Sequence, residues 1–407
     1  MVFNLGCKVN ECESQSLMTG LENLGYTVSD KLEYADLYIV NTCAVTKEAE
    51  KKSRQVASRI KKFNKSAKII FMGCASQKNP TAFLGKGEDC LVTGVFGKGK
   101  IPEILNLSGE LVEKESAEYD ELPFPKNTRT RSFIKVQDGC DNFCAYCIIP
   151  YLRGRSRSRG IDSVISEIKA TKSREAVITG INLSAYDFDG KGLVGLILAL
   201  KDVDKRIRLG SLETSVITEE LLTALKGLKD FAPHFHLSLQ SGANATLKKM
   251  NRKYTREEYL DKVNLIREYF PSAGITTDII VGFPTETEED FLDTVDLVKK
   301  VKFADLHVFP FSPREGTVAY KMPDLAPEIK KARLDELIKI KEQYKTDFAN
   351  FNQGKILNVL LEEEKDGYKV GYTENYLRTY VKCDLTDKMV KVKILKPFRD
   401  GAEGEIV

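Results

Sequence analysis

Gly139-Cys140-Asp141-Asn142-Phe143-Cys144-Ala145-Tyr146-Cys147 sets three cysteines at C-x3-C-x2-C spacing. Once deprotonated, each offers a soft thiolate to a metal. Three sulfur ligands from one tight loop leave a four-iron cubane one protein ligand short, and the open iron can hold a substrate. A zinc site asks for a fourth protein ligand nearby, and ferredoxin spacing closes every iron with cysteine. The loop therefore reads as the cradle of a cluster that binds and reduces something. The alternatives are a structural zinc knuckle or a set of reduced core thiols.

The chain around it has 407 residues, 42% hydrophobic and 30% charged. That fits two or three globular domains with a large core. A net charge of +3 says little about nucleic acid. Local charge says more. Between Lys126 and Gly160 stand Lys126, Arg129, Arg131, Lys135, Arg153, Arg155, Arg157 and Arg159 against Asp138 and Asp141. Such an excess favours an anionic or polyphosphate partner, the alternative being a solvated surface. Nine cysteines, six of them in two triplets, do not suit a secreted disulfide scaffold. They suit cytoplasmic, metal-binding use. No apolar run approaches the roughly 20 residues of a membrane span. Leu5-Gly6-Cys7 lacks the preceding charged and apolar regions of a lipoprotein signal.

Residues 1–115 alternate strands with helices, which predicts an open parallel sheet. Strands are expected at Val2–Leu5, Asp36–Asn41 and Ala67–Met72, and helices at Cys12–Leu24 and Val45–Phe63. The chain begins so close to Cys7 that its first strand is expected to be clipped. Cys7, Cys43 and Cys74 each follow a strand, so a parallel sheet brings all three to one edge. The alternative is buried core thiols. Cys12, Cys90 and Cys383 lack that placement and read as ordinary residues. Residues 103–130 read as a linker stiffened by Pro123 and Pro125.

Residues 126–350 repeat strand and helix. Strands are expected at 132–137, 175–180, 206–211, 234–239, 275–280 and 304–309. Helices are expected at 161–173, 192–203, 217–229, 243–270 with a break near Asn251, and 286–301. Six units predict a partial (β/α)6 barrel, open on one side, whose strand C-termini line the site. Those ends carry the cysteine loop, Thr179-Gly180-Ile181, Glu213, Ser238, Gln240, Val281-Gly282 and Phe309 with Phe311. His234 and His236 are expected on opposite sides of their strand, as core or rim residues and not ligands. Residues 351–407 hold about five short strands, which predicts a small OB-like barrel. Its segment Tyr372 to Arg378 interleaves aromatics with polar groups, as base-stacking surfaces do.

The cysteine loop, with Tyr146 before its last cysteine, resembles the radical S-adenosylmethionine (SAM) enzymes. Asn4-Leu5-Gly6-Cys7-Lys8-Val9-Asn10, Asn41-Thr42-Cys43-Ala44-Val45 and Gly73-Cys74 resemble the N-terminal domain of the methylthiotransferases in that group. Residues 351–407 resemble the TRAM domain, an RNA-binding module. The Leu-Gly-Cys-Lys-Val-Asn variant is similar to the branch acting on threonylcarbamoyladenosine. The resemblance implies a transferase using SAM and two 4Fe–4S clusters. The cluster at Cys140, Cys144 and Cys147 would generate a radical. The one at Cys7, Cys43 and Cys74 would hold the sulfur to be transferred. The product would be a methylthio group at carbon 2 of N6-threonylcarbamoyladenosine, at tRNA position 37 beside the anticodon.

The same resemblance implies SAM contacts. Backbone at Thr179, Gly180 and Ile181 would take the amine. Glu213, Ser238 and Gln240 would hold ribose or carboxylate, and Tyr146 with Val281-Gly282 would face adenine. Arg153 would pair with the SAM carboxylate. Arg155, Arg157, Tyr372, Asn375 and Arg378 are the candidates for RNA contact. The implied partners are the tRNA anticodon stem-loop, an electron donor and a sulfur source, with no membrane, and the chain is expected to be a monomer. Two other readings stand beside this one. The first is a methylthiotransferase of a ribosomal protein side chain, against which the Lys8-Val9-Asn10 variant and the Tyr372 to Tyr376 segment speak. The second is a non-catalytic RNA-binding protein with structural zinc.

Overall fold

A computed structural model describes residues 1–87, 89–126, 130–386 and 388–407; Arg129 of the basic stretch lies outside the described residues. The N-terminal third is one five-stranded sheet. Its strands are β1 (Val2–Asn4), β2 (Leu37–Thr42), β3 (Lys68–Gly73), β4 (Cys90–Thr93) and β5 (Gly109–Leu111), adjacent in that order and all parallel. Three helices connect the first strands: α1 (Lys8–Asn23), α2 (Lys47–Ile60) and α3 (Cys74–Lys78). Alternate residues of the central strands feed two cores, one with Tyr38, Val40, Phe71 and Val92, the other with Ile39, Ile70, Met72 and Leu91. Burial on both faces is why these strands read as unbroken apolar runs. The sequence reading missed β4, which starts at buried Cys90, and β5, which lies inside the expected linker.

The middle of the chain forms a six-stranded arc. Its strands are β6 (Arg131–Asp138), β8 (Glu175–Gly180), β9 with β10 (Arg206–Leu209 and Ser211–Leu212), β11 (His234–Leu237), β12 (Gly274–Val281) and β13 (Asp305–Pro310), and a short β7 (Arg157–Ser158) hairpins onto β6. Only Gly210 separates β9 from β10, so the two four-stranded sheets form one open barrel wall. Helix α4 (Ile149–Arg153) follows the cysteine loop. Helices α5 (Ile161–Ala170), α6 (Gly192–Ala199), α7 (Glu219–Lys226), α8 (Asn244–Lys249), α9 (Arg256–Tyr269) and α10 (Glu288–Val301) cover the outside. Ile275, Ile279 and Val281 of β12 and Phe235 and Leu237 of β11 point into that helix-backed core. Their neighbours, period two along each strand, face the barrel interior.

Helix α11 (Pro327–Asn352) leads to a closed barrel of β14 (Ile356–Lys365), β15 (Tyr368–Thr373), β16 (Arg378–Val381), β17 (Met389–Phe398) and β18 (Gly401–Ile406). This barrel docks on the N-terminal ends of the central strands. Arg131 pairs with Glu362 at 2.5 Å, Arg208 donates to the carbonyls of Thr373 and Glu374, and Asn375 donates to Ser272 O at 2.9 Å. A Cβ on Gly274 would lie 2.0 Å from Asn375 O.

The basic stretch is mostly interior, which corrects the expectation of an anion-facing surface. Lys135, Arg153, Arg157 and Arg159 are buried. Glu13 of α1, with no exposed side-chain area, pairs with Lys98, with Lys135 at 2.9 Å and with Arg153 at 2.9 Å. Asp138 takes Lys135 at 2.6 Å and Arg153 at 2.9 Å. Burial pulls both carboxyls upward, but Arg153 and Lys135, joined for Glu13 by Lys98, outweigh it and hold each below its usual range. This knot joins the N-terminal sheet to the barrel.

Removing one partner of such a network strands the others' charge. Glu13→Ala should therefore destabilise the N-terminal unit by about 3–5 kcal/mol, read as a lower denaturant midpoint. Because both carboxyl pKa values are depressed, their contribution is complete above the unfolded value of about 4 and is lost on acidification below it. Wild type should lose more stability than the variant when both are acidified from pH 6 to pH 3.

Candidate active site

The cysteine loop leaves β6 through Gly139, whose φ of +72° and a would-be Cβ contact of 1.9 Å to Arg155 O exclude any side chain. The loop is pinned from several directions. Cys140 N donates to Gly154 O, Ala145 N to Met250 O, and Ala319 N to Ala145 O. Asn251, itself at φ +60°, donates to the carbonyls of Asn142 at 3.2 Å and Phe143 at 3.1 Å. Arg252 then turns into the site. It donates to Cys144 Sγ at 3.3 Å, to Glu213 Oε1 at 3.0 Å and to Ser238 O at 3.3 Å. Asn142 Nδ2 donates to the same Glu213 oxygen at 2.8 Å. These groups line a cavity of about 200 Å³ with Cys144, Tyr254 and Lys262.

The second triad forms at the sheet edge. Cys7 caps the start of α1, Cys43 follows β2, and Cys74 opens α3 directly after Gly73, at φ +102°. Asn10 ties the first two segments together and reaches the third through Arg153. Its Nδ2 donates to Asn41 Oδ1 at 2.8 Å and Thr42 O at 3.2 Å, and its Oδ1 accepts from Cys7 Sγ and from Arg153 Nη2. Arg153 Nε donates to Cys74 Sγ at 3.4 Å. Cys74 lies in one core with Ile148 and Leu152, so the second triad packs against the segment that leaves the cysteine loop.

The donor sets fit iron–sulfur clusters better than single ions. A zinc ion about 2.3 Å from each sulfur would draw the sulfurs to within about 4 Å of each other. Among the described residues, the one trio of His, Cys, Asp or Glu ligand atoms lying mutually within 4.8 Å is elsewhere, at His236, Asp278 and His307. Within each triad the thiols still feel one another. Burial first, and then the charges of Cys74 and Cys7, push Cys43 up to about 11. Burial, with Cys144 and Cys140, pushes Cys147 up to about 12. Residues 140, 144 and 147 would hold one cluster and residues 7, 43 and 74 the other, each with three sulfurs and an open iron.

The remaining expected residues divide. Thr179 and Gly180 end β8 and Ile181 follows it, Glu213 follows β10, and Ser238 and Gln240 follow β11, all on the loop's side of the barrel. Tyr146 packs with Phe283, Phe311 and Ile280 beside the loop. Val281 does not face that space: its side chain lies in the helix-backed core. Gly282, at φ +68°, lies against Lys330. Arg153 is fully buried in the knot and against Cys74, so it is not placed to meet a SAM carboxylate. The guanidinium beside Cys144 is that of Arg252, which sequence reasoning missed; the only signal was the helix break at Asn251.

Arg157 is also buried, donating to the carbonyls of Arg153 and Arg155, and cannot reach a phosphate. Arg155 remains exposed, paired with Asp141. Asn375 is buried between Ser272 and Asn352. Tyr372 stacks on Tyr376, which stacks on His234, and Arg378 pairs with Glu363 and Asp400. The aromatic segment thus turns inward to the barrel floor. His234 and His236 both bond Thr276 Oγ1 and so share one face; residues two apart in a strand must, which corrects the expectation of opposite sides.

The comparisons agree with this architecture. Residues 134–298 match the radical SAM superfamily, and residues 1–94 match a family described as uncharacterized protein family UPF0004. A radical SAM methyltransferase, TsrM from Kitasatospora setae, covers 76% of this chain and 71% of its own at 15% identity and TM-score 0.54, which shows the shared fold. Residues 134–298 are therefore a radical SAM domain. Among curated relatives it is 37% identical to the threonylcarbamoyladenosine tRNA methylthiotransferase MtaB of Bacillus subtilis, over 99% of this chain and 95% of that one. It is 40% identical to MtaB of Thermotoga maritima, over 93% and 90%. It is 34% identical to a tRNA-2-methylthio-N(6)-dimethylallyladenosine synthase of a Thermoanaerobacter species, over 99% and 91%. The chain belongs to the radical SAM tRNA methylthiotransferases, and is a transferase.

Thiols held this high must surrender protons to bind metal. Iron should therefore leave the reconstituted protein faster as pH falls, measured as chelator-stripped iron at pH 6 against pH 8. Asn251→Ala frees two loop carbonyls and should shed the Cys140 cluster first, so that bound iron falls from about eight toward about four per chain.

Proposed function

We propose that this enzyme inserts a methylthio group at carbon 2 of N6-threonylcarbamoyladenosine at tRNA position 37. The observation that carries the reading is that two groups of three cysteines sit on separate domains, with Cys74 of one packed in a core with Ile148 and Leu152 just after the other. The 37–40% identity to MtaB proteins supports the choice of base. Residues 1–115 would carry the sulfur-holding triad, 126–350 the SAM chemistry, and 351–407 the RNA-binding module. Bound there, the clusters and SAM would supply, with one electron from the donor, radical chemistry able to replace hydrogen on an unactivated carbon by sulfur.

The chain's own residues do the rest. Arg252 offers a charge-assisted hydrogen bond beside Cys144, and Glu213 fixes its orientation. The Tyr146, Phe283 and Phe311 wall keeps water from the loop. Thr179 to Ile181 and Gln240 present polar groups across the barrel mouth. The adenine must leave its stack to reach that mouth. An electron donor and a sulfur source act on the protein as partners, and it works as a cytoplasmic monomer. No described helix is long and apolar enough to cross a membrane.

Mass spectrometry of tRNA nucleosides from a strain lacking the protein tests the substrate. Loss of the methylthio mark on threonylcarbamoyladenosine is expected. Loss from dimethylallyladenosine, or from a ribosomal protein, would overturn the assignment. With purified protein, Cys144→Ala should abolish SAM cleavage, whereas Cys43→Ala should keep cleavage and lose thiomethylation. A Cys43 variant that still thiomethylates would refute the division of labour.

A further inference from the structure

The chain has three histidines, and all three meet on the inner wall of the barrel. His234 and His236 stand on β11 and His307 on β13, and the strand between them supplies Thr276 and Asp278. His236 Nε2 lies 3.1 Å from Asp278 Oδ2, and His307 Nδ1 lies 3.3 Å from Asp278 Oδ1. Asp278 and His307 are direct cross-strand neighbours, as are His236 and Thr276. The arrangement is thus fixed by strand register and not by loops.

We propose that His236, Asp278 and His307 form a mononuclear site for a divalent transition cation of the Fe(II), Mn(II) or Zn(II) type, separate from the cysteine triads. Two imidazoles and one carboxylate are the donor set such cations take while keeping open positions. The ligand atoms all fall within 4.8 Å of one another, the span of a single coordination sphere.

The surroundings are those of a built site. Asp278 presents one carboxylate oxygen to each imidazole, at 3.1 Å to His236 and 3.3 Å to His307. Thr276 Oγ1 lies 3.0 Å from His236 Nδ1 and 2.9 Å from His234 Nε2. When His236 donates its Nδ1 proton to this hydroxyl, the hydroxyl can donate onward to His234. In that tautomer the Nε2 lone pair of His236 faces Asp278 and is free to take a cation in place of a proton. Outer partners of this kind orient metal-bound histidines. Exposure rises across the trio, from 11% for the His236 side chain to 30% for Asp278 and 44% for His307. One side of the coordination sphere therefore stays open to water. That side borders a cleft of about 220 Å³ between the two barrels, lined by Thr276, His307, Tyr372, Tyr376 and Arg378.

The test uses full-length protein carrying both clusters, titrated with Mn(II) while the free aqua ion is counted by electron paramagnetic resonance. One saturable equivalent is expected. Asp278→Asn and His307→Gln should each weaken it more than about 100-fold, and Thr276→Val by about 10–100-fold, with cluster iron and sulfide unchanged. His307→Gln, at a half-exposed position, keeps the test valid should the Asp278 variant fold poorly. Absence of saturable binding in wild type, or binding that survives His307→Gln, would leave a hydrogen-bonded carboxylate only and overturn the site. Cluster content and SAM cleavage are read separately, so this result does not depend on the substrate assignment.

Discussion

The fold depends on a charge buried where three elements meet. Glu13 lies inside the protein with three cations on it, and each comes from a different place: Lys98 from beyond β4, Lys135 from β6, Arg153 from α4. A carboxylate in that position has no water to fall back on, and neither do its partners. The geometry is therefore all or nothing. It fixes the N-terminal sheet against the barrel, and it does so beside both cysteine triads. Asp138 shares the knot and directly precedes Gly139, while Arg153 reaches Cys74. The relative placement of two reactive centres is thus set by electrostatics at a domain seam.

Much of the barrel was legible from the chain. The strand expected at 175–180 is β8 residue for residue, and the one expected at 132–137 is β6 with one residue added at each end. Buried parallel strands between helices leave strong apolar runs, and short loops keep their order. The cysteines were legible because strand ends in a parallel sheet share an edge. By contrast, β5 is three residues long and largely exposed, so no apolar pattern marked it.

Charged residues were the least legible. Arg153 and Arg157 look like surface cations because their partners are distant in sequence; Glu13 is 140 residues from Arg153. Burial of a guanidinium is a tertiary fact that composition cannot carry. Arg252 was missed for the opposite reason. It lies in a non-helical turn between α8 and α9, and only the left-handed backbone at Asn251 aims it inward. The Tyr372 to Arg378 segment was ambiguous because interleaved aromatics serve equally to stack bases or to pack an interface, and here His234 and Arg131 lie against them on one side.

The close approach of Gly274 to Asn375 O gives the C-terminal barrel a further meaning. No side chain fits between them, and the strands' lower rim carries Arg131, Glu175, Arg206 and Arg208 sealed beneath the docked module. The module is a keystone as much as an appendage. A chain shortened at the end of α11 would not be a smaller enzyme with weaker grip but a vessel without its base, with its innermost charges opened to solvent.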